Sequence, residues 1–397
     1  MNLFWRSLRY LVLLYLIFLF AYASHPDIID ASRALGMESG TVLSDDILKV
    51  FAILFIMCLN IKSFFRSGVI IGSVVIFFTV IVFFLLVISR YNDFRMFEDI
   101  RSIGICLAAT MIGWQLGLNE KKLRFLLFFF TCCIGYVTYL QVVMNVGGFE
   151  IADTYLTDNK NSLGAMLATG VFTMVFLQSN MHGNGLKKLL YVLMVLSFTV
   201  LLLTIRARTA TATLVLLFFF FYYQKFRRRG SFLLFFLGII IVVSVTFVLF
   251  PLFREYVWNS FVQNYEGGDI TSGRMERNVE GLRFLSEHLW AGELEAESNL
   301  DWIHNYPLNT WCSFGLFFSI PIMLYYTVTL CLSFFRSCRL GTSNIYNVGY
   351  FAMLIPFVIS MAEPTYPFGP GTATVFNFIL FGIALKNTYV ERHTIRQ

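Results

Sequence analysis

The chain has 397 residues, of which 57% are hydrophobic and only 14% charged. Soluble domains carry about 25% charged residues, so this composition excludes an ordinary soluble enzyme and indicates a polytopic helical membrane protein. The net charge of +6 does not indicate nucleic-acid binding, because most basic residues fall in short segments between apolar runs. Since none of these segments is long enough for a separate soluble domain, residues 1–397 are predicted to form a single membrane domain.

Apolar segments near the length that crosses a bilayer, about 20 residues, recur along the chain. The first follows Arg6 and Arg9 as the core of a signal peptide does, but the later segments favour an uncleaved helix. The sequence predicts an all-α integral membrane protein with about twelve transmembrane helices. The predicted spans are 9–24, 46–61, 68–89, 99–118, 124–146, 161–179, 187–205, 209–224, 231–253, 308–335, 346–363 and 370–388.

The positions of basic residues predict the orientation of these spans. With twelve spans, the basic clusters before the first span and after every even-numbered span share one face of the membrane. They comprise Arg6, Arg9, Lys62, Arg66, Lys121, Lys122, Arg124, Lys187, Lys188, Lys225, Arg227, Arg228, Arg229, Arg336, Arg339, Lys386, Arg392 and Arg396. Because cytoplasmic loops are enriched in Lys and Arg, both termini are predicted to be cytoplasmic.

Several arginines break that rule, because they fall on the predicted outer face. They are Arg90, Arg95, Arg101, Arg206, Arg208, Arg254, Arg274, Arg277 and Arg283. Nearby acids can neutralise the first three, but no acid flanks Arg206 and Arg208, which interrupt the apolar run LLLTIRARTATATL. A charge at mid-bilayer is costly, so these two are predicted to lie in a tight outer turn between two helices.

A large outer loop, residues 254–307, separates the ninth and tenth predicted spans. Within it, residues 271–292 carry apolar side chains at helical spacing, with Thr271 or Ser272 as a cap and Gly292 as a terminator. The apolar positions are Met275, Val279, Leu282, Leu285 and Leu289. This pattern predicts an amphipathic helix on the outer membrane surface, whose polar arginines either bind a ligand or pair with neighbouring glutamates.

The outer face collects the groups that transfer of a lipid-linked sugar requires. Arg206, Arg208, Arg274 and Arg277 are candidates for binding a diphosphate, since guanidinium groups bind phosphate oxygens and stabilise a leaving diphosphate. His304, before the tenth span, is the candidate catalytic residue, because histidine can deprotonate an attacking hydroxyl near neutral pH. A structural role for a lone histidine at a membrane interface is the competing interpretation.

Four further residues on this face are candidates for substrate binding: Lys160, Asn161, Asn305 and Glu363. Glu363 has two equal interpretations, pairing with an arginine or contact with sugar. No acidic cluster has metal-ligand spacing, and the seven cysteines lie mostly in apolar runs without CxxC pairs. The site is therefore predicted to work without a metal or cofactor.

Three motifs in chain order carry a resemblance: TIRARTA, then TSGRMERNVEGLRFLSEHLWAGE in the outer loop, then IHNYPLNTWCSFGLFF. This order resembles the O-antigen ligase and O-antigen polymerase superfamily, with Arg208, Arg274 and His304 at its motif positions. EHLWAGE departs from the superfamily pattern, in which a proline follows the histidine. The resemblance implies a GT-C-like fold in the bacterial inner membrane and glycan transfer from undecaprenyl diphosphate to a glycan acceptor at the periplasmic face. The arginines would hold the diphosphate and the histidine would act on the acceptor.

The resemblance leaves the acceptor open. The element DNKNSLGAM resembles a Lys-Asn-x-x-Gly element of polysaccharide polymerases, which favours a polymerase, with a chain-length-regulating co-polymerase as a candidate partner. The alternatives are a ligase that transfers the glycan to lipid A core and a lipid-linked oligosaccharide flippase. A flippase should show two similar halves and charges at mid-span, whereas the unusual charges here concentrate on one face.

Overall fold

The computed structural model describes the backbone of most of the chain after residue 93, with its largest gap between 226 and 273. The described stretches are 94–146, 155–181, 185–204, 207–226, 273–295, 303–364, 366–369 and 372–395, with single residues at 7, 10–15, 17, 18, 237, 241, 248 and 251. At some helix ends only the backbone is described. The second and third predicted spans, half of the first and most of the ninth lie outside the described residues.

The long elements within the described stretches are α-helices, and the prediction of an all-α chain is confirmed to that extent. They are α1 (Phe94–Leu116), α2 (Glu120–Val146), α3 (Tyr155–Ser179), α4 (Gly185–Thr204), α5 (Arg208–Phe226), α6 (Arg274–Glu287), α7 (Tyr306–Leu340), α8 (Val348–Ile359) and α9 (Thr372–Ile395). Short 3₁₀ turns span Gly292–Leu294 and Ile345–Asn347. In this part of the chain, three segments are long and apolar enough to cross a membrane, Glu120–Tyr139, Gly185–Leu202 and Tyr306–Leu340.

Some helix ends differ from the predicted ones. Helix α3 begins at Tyr155, so Lys160 and Asn161 lie inside it rather than at its start. Helix α8 ends at Ile359, so Glu363 follows the helix instead of closing the eleventh span. Thr204 ends α4 and Arg208 begins α5, which agrees with the predicted turn between them. Apolar composition fixes that a helix exists, whereas its ends depend on local caps and tertiary contacts.

The chain divides into two compact units. The first unit comprises 1–215, 321–359 and 365–397, and the second comprises 216–320 and 360–364. The described residues of the predicted outer loop thus belong to the second unit, together with the start of α7 and the turn after α8. The division describes how compactly parts of the chain are packed. Whether residues 1–397 form a single membrane domain therefore remains a prediction.

The first unit has a core of helices that are apolar on every side. The described side chains of α3 are buried from Leu163 to Leu177, and those of α8 are almost all buried. A helix that is apolar all round must be covered by other helices or by lipid. Helix α4 exposes an apolar stripe at intervals of three and four residues. The stripe consists of Leu186, Leu189, Leu193, Leu196 and Val200.

Glycines let the backbones of α1 and α9 touch. A Cβ at Gly113 of α1 would overlap the Ile379 carbonyl of α9, and a Cβ at Gly382 of α9 would overlap the Thr110 carbonyl of α1. Such reciprocal small residues are typical of helix pairs in membranes, where close van der Waals packing drives association.

In the second unit, α6 packs on the start of α7 through a small apolar cluster. Leu285 of α6 lies with Ile303, Leu308 and Cys312, with Phe284 and Trp311 alongside. Gly281 is buried beside this cluster, and the Cys312 thiol donates a hydrogen bond to the Gly281 carbonyl at 3.2 Å. This contact sets the position of α6 against the segment that carries His304.

Helix α6 differs from the predicted amphipathic helix in its ends and in what its apolar side contacts. Gly273, with φ 76°, is the N-cap rather than Thr271 or Ser272, and the helix ends at Glu287, before Gly292. Leu285 is buried, whereas Met275, Val279 and Leu282 are exposed. The sequence period identifies the apolar stripe, but only the tertiary structure shows which of its side chains are buried.

Helix α7 is interrupted at Gly315, where φ is 66° and ψ is 173°. The amides of Leu316 and Phe317 donate to the carbonyls of Leu289 and Trp290, at 2.9 and 3.3 Å. A Cβ at Gly315 would overlap the Trp290 carbonyl. The break therefore turns two amides of α7 toward the segment that follows α6, and glycine is required there by both conformation and space.

Candidate functional site

The candidate site is built around Arg274, the first residue of α6. Its Nη1 donates to the Ala362 carbonyl at 2.8 Å, and its Nη2 donates to Glu363 Oε1 at 3.0 Å. The guanidinium thus spans a backbone carbonyl and a carboxylate, which uses the fixed spacing of its nitrogens. The side chain remains 27% exposed, so one edge of it faces outward.

Glu363 is the buried anion of this site. Its side chain is only 6% exposed, and its two oxygens face different partners. Oε1 accepts from Arg274 at 3.0 Å, and Oε2 lies 3.9 Å from Nδ1 of His304. Burial of a carboxylate is costly unless a cation and hydrogen bonds compensate it, and Arg274 supplies both. Of the two predicted roles for Glu363, pairing with an arginine is confirmed.

His304 lies immediately before α7, between the buried Ile303 and the helix cap Asn305. Its side chain is 25% exposed, but Nδ1 is buried and has no hydrogen-bond partner among the described residues. The exposed atoms of the imidazole ring therefore do not include Nδ1. The 3.9 Å separation from Glu363 is too long for a hydrogen bond.

The surroundings of His304 keep its ring neutral. Burial lowers its pKa from the usual 6.5, and the positive charges of Arg274 and Arg277 lower it further. Both effects disfavour the imidazolium form. A neutral imidazole at near-neutral pH has a free lone pair on one nitrogen, which is the state that a general base requires.

Asn305 fixes the start of α7 and ties it to the turn after α8. Its Oδ1 accepts from the amide of Leu308 at 3.0 Å, as an N-cap does, and its Nδ2 donates to the Met361 carbonyl at 3.2 Å. The amide of Tyr306 donates to the Ser360 carbonyl at 2.8 Å. These contacts give Asn305 a structural role, while its role in substrate binding stays a prediction.

Residues 360–364 form a clamp that sequence reasoning had not anticipated. The carbonyls of Ser360, Met361 and Ala362 accept from Tyr306, Asn305 and Arg274 respectively. The only sequence signal was the polar MAEP segment after an apolar span. Every residue has a backbone carbonyl, so residue type does not indicate which carbonyls accept such hydrogen bonds.

The other predicted arginines are placed differently. Arg277 is half-buried on α6, one turn after Arg274, and acts on His304 through its charge. Arg208 is the half-buried first residue of α5 and belongs to the first compact unit. Arg206 lies outside the described residues.

Lys160 and Asn161 lie in α3, in the first unit, and only their backbone is described. Their proposed contact with substrate therefore stays a prediction. The structure brings Arg274, Arg277, His304, Asn305 and Glu363 together within the second unit.

Helix α6 ends next to His288. This residue is the C-cap, its amide donates to the Phe284 carbonyl at 3.0 Å, and its ring lies 4.8 Å from that of Phe284. His288 therefore caps and packs, and His304 is the histidine next to the arginines.

In the described stretches, no three His, Cys, Asp or Glu side chains come together as metal ligands. The arrangement can instead bind an anion beside the arginines and accept a proton at His304. No protein-family model matches the chain, and no curated protein gives a significant match.

Proposed function

We propose that this protein is a membrane glycosyltransferase that polymerises oligosaccharide repeat units carried on undecaprenyl diphosphate. It would act at the outer face of the bacterial inner membrane. The observation that carries the proposal is the group of Arg274, Glu363 and His304 at the start of α7, a helix that is long and apolar enough to cross a membrane. The motif order described above supplies the class of substrate.

The donor would bind with its diphosphate against the arginines. The outward edge of Arg274 and the charge of Arg277 favour an anion beside His304. Arg208, at the N-terminus of α5 in the first unit, is a further candidate for binding an anion, since the helix dipole also favours a negative group there. Positive groups fixed in this way stabilise the charge that develops on the leaving diphosphate.

The acceptor hydroxyl would lose its proton to His304 as it attacks. The acceptor oxygen forms a bond to the anomeric carbon of the donor sugar, and the bond from that carbon to the phosphate oxygen breaks. The electron pair leaves with undecaprenyl diphosphate, and the proton passes from the acceptor to the imidazole. The lowered pKa of His304 favours this role, because the ring is neutral before the step.

The proposal is tested with purified protein in lipid nanodiscs and a short lipid-linked repeat unit. A ladder of longer lipid-linked products is expected, and His304→Ala and Arg274→Ala should abolish it. His182→Ala, at a histidine on the predicted cytoplasmic side, serves as the matched control. Transfer only to added lipid A core would identify a ligase instead. Movement of substrate across the bilayer without any glycan product would identify a flippase.

A further inference from the structure

Glu363 lies against two partners, Arg274 and His304. It can therefore act on His304 as well as neutralise the charge of Arg274. Its Oε1 is held by Arg274 at 3.0 Å, so the orientation of the carboxylate is fixed. That orientation directs Oε2 toward Nδ1 of His304, at 3.9 Å. A carboxylate oxygen can only accept a hydrogen bond, so the nitrogen facing it is favoured to carry a proton.

We propose that Glu363 is a positioning residue that keeps the proton of His304 on Nδ1 and thereby leaves Nε2 as the proton acceptor. This inference rests on the proposed function for its role in catalysis, but the proton position itself does not depend on it. The hydrogen bond that one ring nitrogen of a histidine makes determines whether the other ring nitrogen carries a proton.

The surroundings of the ring support this assignment. Nδ1 is buried without a hydrogen-bond partner among the described residues, and Oε2 of Glu363, 3.9 Å away, is an acceptor that faces it. The charged groups that face the ring in this part of the chain are Arg274 and Arg277 of α6 and Glu363 of the clamp. Hydrogen bonds in catalytic sites are often long before substrate binds, and closing 3.9 Å to hydrogen-bond length requires only a small side-chain rotation.

Glu363→Gln gives the sharpest test, because it changes the proton position without a change of shape. Arg274 still requires an acceptor at the position of Oε1, so the glutamine oxygen is held there. The glutamine NH₂ group then faces Nδ1 of His304 and donates to it. The proton of His304 should therefore move to Nε2, and the base is lost.

The measurement is nitrogen NMR of the histidine rings in the full-length protein in lipid, labelled with ¹⁵N-histidine. The His304 signals are assigned by their loss in His304→Gln. In the unaltered protein we expect the Nδ1–H form, and in Glu363→Gln the Nε2–H form. Glu280→Gln, which removes an exposed carboxylate of α6, should leave the His304 signals unchanged. An Nε2–H form in the unaltered protein, or the same form in both proteins, would overturn the proposal.

The elongation assay adds a functional measurement. A general base contributes about 10²–10⁴-fold, so Glu363→Gln should lower kcat by that order with a donor KM within about twofold of the original. Glu363→Asp, which keeps the anion, should recover part of the loss. If the unaltered protein forms no product while the proton position shifts as expected, the glycosyltransferase proposal fails and the pairing of Glu363 with His304 stands.

Discussion

At the residue scale, the site depends on one buried carboxylate shared between a cation and an imidazole. Glu363 is 6% exposed, Arg274 is 27% exposed, and His304 is 25% exposed. Only the carboxylate is fully enclosed, so the stability of the site depends on the partners that remain around it. A buried charge left without its partner is strongly destabilising.

Arg274→Lys tests the two-sided contact of the guanidinium. A lysine ammonium on a flexible stem cannot hold both the Ala362 carbonyl and Glu363 in the geometry of Arg274. The free energy of unfolding should fall by about 1.5–3 kcal/mol, the typical value for a hydrogen bond to a charged group. Thermal unfolding in detergent measures this. Arg283→Lys, at an exposed position of α6, is the control, and an equal change in both variants would contradict the prediction.

The pKa of His304 gives a second prediction at this scale. Because burial and the charges of Arg274 and Arg277 lower it from 6.5, Arg277→Gln should raise it toward that value. The acid limb of the activity profile should shift to higher pH in the same variant, since protonation of His304 removes the base. An NMR titration of the His304 ring checks the shift, with Arg283→Gln as the control. No difference between the two variants would exclude a role for the charge of Arg277.

The same lowered pKa affects stability. The unfolded state binds a proton to His304 near pH 6.5, whereas the folded state binds it only at lower pH. Stability from this group is therefore present above pH 6.5 and declines as the pH falls from 6.5 through the folded pKa.

At the element scale, the decisive feature is the break of α7 at Gly315. A continuous helix of 35 residues would be about 52 Å long, well beyond the roughly 30 Å of a bilayer core. The break lies within the second unit, in the part of α7 that follows His304 and Asn305. It also supplies the amides of Leu316 and Phe317 to the carbonyls at the end of the α6 segment.

Gly315→Ala should therefore destabilise the second unit. The position has positive φ, and a Cβ would overlap the Trp290 carbonyl. The backbone strain alone costs about 1–3 kcal/mol, and the overlap adds to it. Gly341→Ala is a matched control, because Gly341 also has positive φ but nothing lies within 4 Å of its Cβ position. Limited proteolysis and thermal unfolding should show the larger effect for Gly315→Ala. Equal effects would show that strain, not overlap, accounts for the loss.

At the scale of the whole molecule, the helices of the first unit pack through small residues and expose apolar stripes. Gly113 and Gly382 bring α1 and α9 into backbone contact, and α4 exposes leucines on one side. Both features are those of helices surrounded by lipid, where an exposed apolar side has no cost. The orientation of the chain in the membrane follows from the positions of its basic residues and remains a prediction.

Cysteine accessibility in cells tests that orientation. In a background lacking the seven native cysteines, Glu276→Cys on α6 should react with a membrane-impermeant thiol reagent applied to the outer face of the inner membrane. Lys187→Cys, in the first turn of α4, should react only after the membrane is opened. Both positions are exposed in the structure, so burial does not prevent labelling. Labelling of Lys187→Cys from outside would contradict the assignment of both termini to the cytoplasm.

The sequence determined the helical membrane character of this protein and singled out Arg274, Arg277, His304 and Glu363. These conclusions follow from composition, apolar period and the arginines that break the positive-inside rule on the predicted outer face, which are local properties of the chain. Only the tertiary structure decided that Glu363 lies between Arg274 and His304, that the clamp holds the start of α7, and that α7 breaks at Gly315. These depend on contacts between residues far apart in the chain, and on backbone carbonyls that every residue possesses. Sequence pattern specifies which groups are present, but the packing of α6 on α7 specifies which of them meet.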